Sequence, residues 1–82
     1  MATIDKRQVN EIFPALTARE ADVVQCLLEG DAMKRIAYDL GLADQTVKNH
    51  VYNIYRKLNI NSKGELFRLT LEYVLTSWVP VR

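Results

Sequence analysis

Residues 44–58 read Asp44-Gln45-Thr46-Val47-Lys48-Asn49-His50-Val51-Tyr52-Asn53-Ile54-Tyr55-Arg56-Lys57-Leu58, and their spacing decides the fold. At about 100° per residue, Val47, Val51, Ile54 and Leu58 fall on one stripe, the period of an amphipathic helix rather than of a strand. Gln45, Lys48, Asn49, Tyr52 and Arg56 fall on the opposite stripe. Thr46, His50, Asn53 and Lys57 line one flank between them. Asp44 is the only acid between residues 44 and 64. At the N-terminus of this helix it suits the dipole and is placed to cap it.

Working outward, Gly41-Leu42-Ala43 precede this segment, and before them Met33 to Leu40 carries Ile36, Ala37 and Leu40 at inward spacing. Two helices joined by a turn of about three residues that holds a glycine form the helix-turn-helix pattern. Upstream, Thr17-Ala18-Arg19-Glu20 is a capping box with Leu16 as its apolar staple. It opens a helix to about Glu29 that buries Val23, Val24, Leu27 and Leu28, and Gly30 stops it with a left-handed turn. Residues 5–12 predict a short leading helix, ended by Phe13-Pro14 because proline disfavours helix at the residue before it. Downstream, Asn59-Ile60-Asn61-Ser62 breaks the pattern. A last helix runs from about Lys63 to Ser77, with Pro80 closing the fold. No strand pattern stands out, so the expected fold class is all-α. Residues 1–15 form an N-terminal extension, and residues 16–82 form a four-helix domain.

Composition narrows the function classes. At 82 residues the chain is one domain with a small core. One cysteine, Cys26, and one histidine, His50, allow neither an intrachain disulfide nor a metal-ligand cluster of normal spacing. Cys26 lies on an apolar helical pattern and reads as a small core residue. No 18-residue apolar run and no leading apolar h-region are present, so no membrane span or signal peptide is expected and the expected location is cytoplasmic. No nucleophile–base pair, phosphate loop or cleft-forming size points to an enzyme, and no cofactor is expected. The net charge of +1 is unevenly spread. Residues 1–32 hold three cations and six acids, and residues 33–82 hold eight cations and four acids. The basic second part points mildly to a polyanion, although a solvated mixed surface has the same look.

The outer face of residues 44–58 fits a major groove. Lys48 can donate to guanine O6 and N7, Asn49 can pair with adenine N6 and N7, and Tyr52 offers a hydroxyl or a ring to a thymine methyl. Thr46, His50 and Lys57 would then face a phosphate strand, with Arg56 added from the same wheel. A polar, lysine-bearing face is also what any solvated helix presents.

The run Leu16-Thr17-Ala18-Arg19-Glu20-Ala21-Asp22-Val23-Val24 resembles the opening of the LuxR-type regulators. Thr46-Val47-Lys48-Asn49-His50-Val51 and Asn53-Ile54-Tyr55-Arg56-Lys57-Leu58 resemble that family's recognition-helix core, and Gly30, Ile36-Ala37, Leu40 and Leu42 follow its spacing. The likeness covers about residues 16–66 without a gap. It implies a bacterial transcription regulator that binds two-fold operators as a dimer through its last helix. By position it implies base reading by Lys48, Asn49 and Tyr52, phosphate contact by Thr46, His50 and Lys57, and a basic scaffold position at Lys34. Three departures stand out. Ala32-Met33 replaces Ser-Asn, Ala43 replaces Ser, and Lys63 replaces an arginine. Asp31 and Asp44 are placed to restore the lost caps, but a carboxylate cannot replace a phosphate donor, so backbone anchoring should be weaker than is usual.

On the last helix, Leu66, Leu69, Thr70, Tyr73 and Ser77 form one stripe, and Phe67, Leu71, Val74, Leu75 and Trp78 form a second. One small core needs one stripe. The second is more apolar surface than a monomer leaves wet, and it predicts a homodimer face. The alternative is that residues 1–13 fold back over it. Two other functions stay open. One is a protein-interaction module that holds RNA polymerase, a sigma factor or another regulator. The other is region 4 of a sigma factor, against which His50 and the run 53–58 speak.

Overall fold

A computed structural model describes residues 4–77, and they form five helices and no strand. They are α1 (Lys6–Ile12), α2 (Ala18–Leu28), α3 (Met33–Leu40), α4 (Asp44–Leu58) and α5 (Lys63–Ser77). The all-α expectation is met, and so are the bounds of the last three helices.

Local chemistry sets each start and stop. The Thr17 hydroxyl accepts the Glu20 N–H at 3.1 Å, and the Glu20 carboxylate accepts the Thr17 N–H at 2.9 Å. The same reciprocal box, unremarked in the sequence, opens α1. There Asp5 accepts the Gln8 N–H and Gln8 accepts the Asp5 N–H, both at 2.9 Å. Ser62 Oγ accepts the Glu65 N–H at 3.2 Å and so caps α5. In contrast, Ala32 and Ala43 are the N-caps of α3 and α4, with no side-chain cap bond. The expectation that Asp31 and Asp44 restore those caps is therefore corrected. Asp44 is already the first residue of α4, past the position from which a side chain reaches the free N–H groups.

Three helices close in one way. Gly30, Gly41 and Asn59 adopt positive φ (89°, 68° and 57°), and the next residue's N–H returns to a carbonyl five positions back. Those bonds are Asp31 to Cys26, Leu42 to Ala37 and Ile60 to Tyr55, at 2.9–3.1 Å. This six-to-one closure satisfies carbonyls that the helix end would leave bare. It also turns Ile60 into the core and places Leu42 against it.

The fully buried large side chains are Ile36, Ile54, Leu66, Val9, Val23, Val24 and Val47. Each contributes about 1.5–3 kcal/mol. α4 packs against both α2 and α3. Val47, Val51 and Ile54 are its buried residues, as the wheel predicts, while Leu58 is half-buried. Val9 and Phe13 join the same core, and α1 lies on α2. Leu28 and Cys26 are half-buried at the core's edge.

α5 is held differently. Leu66 and Thr70 are its buried residues, and Leu69 packs beside them. Tyr73, expected on that inward stripe, is 40 % exposed, because the core ends before the third turn of α5. The radius of gyration is 12.9 Å and the longest extent 47 Å. A compact chain of this length would have a radius near 11–12 Å, so α5 projects from the body.

Candidate nucleic-acid interface

Locking Val47, Val51 and Ile54 into the core fixes the rotation of α4 about its own axis. Gln45, Lys48, Asn49, Tyr52 and Arg56 are consequently all exposed on one outer face. Thr46 and His50 are half-buried on the flank, and Asn53 beside them is exposed. Lys34 is exposed at the second position of α3.

The outer face carries internal order. Gln45 Nε2 donates to Asn49 Oδ1 at 3.0 Å. The Arg56 guanidinium carbon sits 5.7 Å from the Tyr52 ring centroid, a cation–π distance. Both are four-residue spacings, which place side chains one above the other on a helix.

Lys57 differs from its neighbours. Its ammonium donates to Glu20 Oε1 at 2.7 Å, and that carboxylate is almost wholly buried. Glu20 also accepts the Thr17 N–H, so one carboxylate closes the start of α2 and ties down the end of α4. Burial pushes the Glu20 carboxyl up. The Lys57 hydrogen bond and charge, with the bonds from Thr17, outweigh it and hold the group below its ordinary value. Nothing local in the sequence reveals this pair, because the partners lie 37 positions apart. The Gln45–Asn49 bond was not anticipated either, although its four-residue spacing is the signal that could have suggested it.

Three further acids are paired within the fold. Asp39 pairs with Arg35 at 3.0 Å, Glu72 with Arg68 at 2.8 Å, and Asp22 with Lys6 and Arg19 at 3.3 and 3.4 Å. Among the described residues after position 32, Lys34, Lys48, Arg56 and Lys63 enter no ion pair, and three of them lie on α3 and α4. The Cys26 thiol is half-buried. Burial, then the charges of Asp31, Glu29, Asp39 and Asp22, push it above its ordinary value, which disfavours the reactive thiolate. Among the described residues no three histidine, cysteine or carboxylate side chains gather as metal ligands, and no helix is long and apolar enough to cross a membrane.

On α5, Phe67, Leu71 and Leu75 are 40 %, 56 % and 62 % exposed, and Val74 is half-buried. Trp78, expected on this stripe, lies outside the described residues, as does Pro80. Residues 4–13 leave the stripe exposed, since α1 lies on α2.

The family described as bacterial regulatory proteins, luxR family, matches residues 14–70. The chain is 47% identical over 51 residues to the nitrate/nitrite response regulator protein NarP of Escherichia coli, covering 62% of this chain and 24% of that one. It is 38% identical over 66 residues to the transcriptional regulatory protein FixJ of Azorhizobium caulinodans, covering 80% and 31%. With the transcriptional regulatory protein DegU of Brevibacillus brevis the identity is 37% over 67 residues, covering 82% and 27%. The chain thus spans less than a third of the length of these relatives. No solved structure matches it with significance. The family match covers more than half of the chain, which therefore belongs to the luxR family of bacterial regulatory proteins, a family of DNA-binding transcription regulators.

Proposed function

We propose that this luxR-family chain reads a short two-fold DNA site as a dimer, with α4 in the major groove. Lys48, Asn49 and Tyr52 face base edges. Lys34, Thr46, His50, Arg56 and Lys57 face phosphates. Phe67, Leu71, Val74, Leu75 and Trp78 form the contact between copies. The observation that carries the reading is the outer face of α4. It is exposed, acid-free beyond Asp44 and fixed in rotation by three buried residues on the opposite side.

Binding of the full chain to a randomised duplex pool at about 0.1 M salt tests it, with Lys48→Ala as control. Enrichment of a two-fold motif that Lys48→Ala abolishes is the expected result. A folded chain that enriches nothing overturns it.

A second reading has one observation in its favour. The N-caps Ala32 and Ala43 supply no side-chain donor where a phosphate strand would pass. A helix-turn-helix that holds RNA polymerase, a sigma factor or another regulator would need none there, and the same pool experiment would then return no motif.

A further inference from the structure

Asn49 and Gln45 are both exposed, and a hydrogen bond between them biases how the Asn49 amide turns. Its Oδ1 accepts the Gln45 Nε2–H at 3.0 Å. An asparagine amide is a two-ended reader, with an acceptor oxygen at one end and two N–H donors at the other. Which end meets the groove decides which base edge it prefers. The oxygen end is turned along the helix axis toward Gln45. The Nδ2 end makes no hydrogen bond to any described residue, so its two donors remain for a ligand.

We propose that Gln45 is a specificity-determining positioning residue, which sets the polarity of the Asn49 amide so that Asn49 offers donors to the base beneath it. The inference rests on the groove-reading function proposed above. Outward donors suit the acceptors of the major groove, which are N7 of either purine, O6 of guanine and O4 of thymine. They meet no partner on the cytosine N4 amino group. Gln45 touches no base in this arrangement and acts through Asn49. A free asparagine can instead rotate to present both ends, so the pair narrows the choice before DNA arrives. The helix supports it, because four-residue spacing stacks the two side chains and the polar face holds no acid that competes for Nε2.

The chemistry allows a reversal as a test. A glutamate at this position can only accept, so in Gln45→Glu the Asn49 Nδ2 turns toward position 45 and the oxygen turns outward. Duplexes differing only at the base pair that Asn49→Ala renders indifferent are ranked for the parent chain, Gln45→Glu and Gln45→Met. The parent should disfavour cytosine at that position by about twofold, the bias that a four-residue side-chain hydrogen bond supplies. Gln45→Glu, although weaker on every duplex because of its charge, should raise cytosine to equal or above the other bases. Gln45→Met, similar in length but unable to hydrogen-bond, should flatten the ranking while leaving the other positions of the site unchanged. It serves alone if Gln45→Glu does not fold. An unchanged ranking in both variants overturns the inference while leaving the groove reading intact. So does a new preference at a different base pair, which would make Gln45 a direct reader. A parent chain that selects no motif removes the groove reading and this inference with it.

Discussion

Lys57 lies on the flank of α4 proposed to meet phosphate, yet its ammonium is already 2.7 Å from a buried carboxylate. An ammonium has three donors, so the Glu20 bond fixes the stem and leaves donors for an anion. Lys57→Met should leave Glu20 buried beside Thr17 with its cation gone. Because the lysine side chain is 37 % exposed, the cost is discounted to about 1–2 kcal/mol, read as a lower denaturant midpoint. The pH dependence has a definite sign. Glu20 has a depressed folded pKa, so the pair contributes fully above the ordinary carboxylate range and is lost as pH falls through the folded value. The deficit of Lys57→Met relative to the parent should therefore shrink in acid; a constant deficit from neutral to acid pH would count against the pair. At this scale the sequence was half legible. Val47, Val51 and Ile54 announce their burial by period, and Thr17 with Glu20 announce a cap by spacing. That the same Glu20 also holds Lys57 depends on how α2 crosses α4, which no periodicity records.

Helix ends set the energetics of the elements, and they divide into served and unserved. α1, α2 and α5 begin on Asp5, Thr17 and Ser62. α3 and α4 begin on alanines whose backbones are already extended, at φ −75°, ψ 159° and φ −71°, ψ 151°. These are the angles an N-cap side chain needs. Ala43→Ser should thus stabilise the fold by about 0.5–1 kcal/mol, a rise of a few degrees in Tm. It should also tighten DNA binding by supplying a phosphate donor, measurable by fluorescence anisotropy. Stabilisation without tighter binding would place the phosphate strand away from the start of α4. At the other end of α4, Asn59 holds φ 57° without being glycine. Asn59→Ala should cost about 1 kcal/mol in thermal unfolding and Asn59→Gly should cost nothing or stabilise. Asn59–Ser62 is visible in the sequence only as a break. Its left-handed closure and the Ser62 cap need the bond pattern itself, since asparagine and serine are equally at home in loops that do neither.

At the scale of the whole molecule, a small body carries one helix fastened only along its first half. Phe67, Leu71 and Leu75 face solvent there while Leu66, Leu69 and Thr70 hold the core. Leu71→Glu leaves the core untouched and should shift sedimentation at high micromolar chain concentration from dimer to monomer, with the helix content and Tm little changed. A parent chain that is itself monomeric at that concentration would end the dimer reading. The second stripe was legible from the wheel. The early end of the core, which leaves Tyr73 exposed, was not, because it depends on how far the other helices extend alongside α5. That one-sided fastening also makes the part of α5 beyond Thr70 a lever, about 10 Å long at 1.5 Å per residue. A tilt of roughly 10° about Thr70 would carry the free end through about 2 Å, roughly half of the ~3.4 Å step from one base to the next along a DNA strand. In a dimer joined through that free end, the separation of the two α4 helices would follow the tilt of α5, so the gap between half-sites would be set by a hinge rather than by a rigid strut.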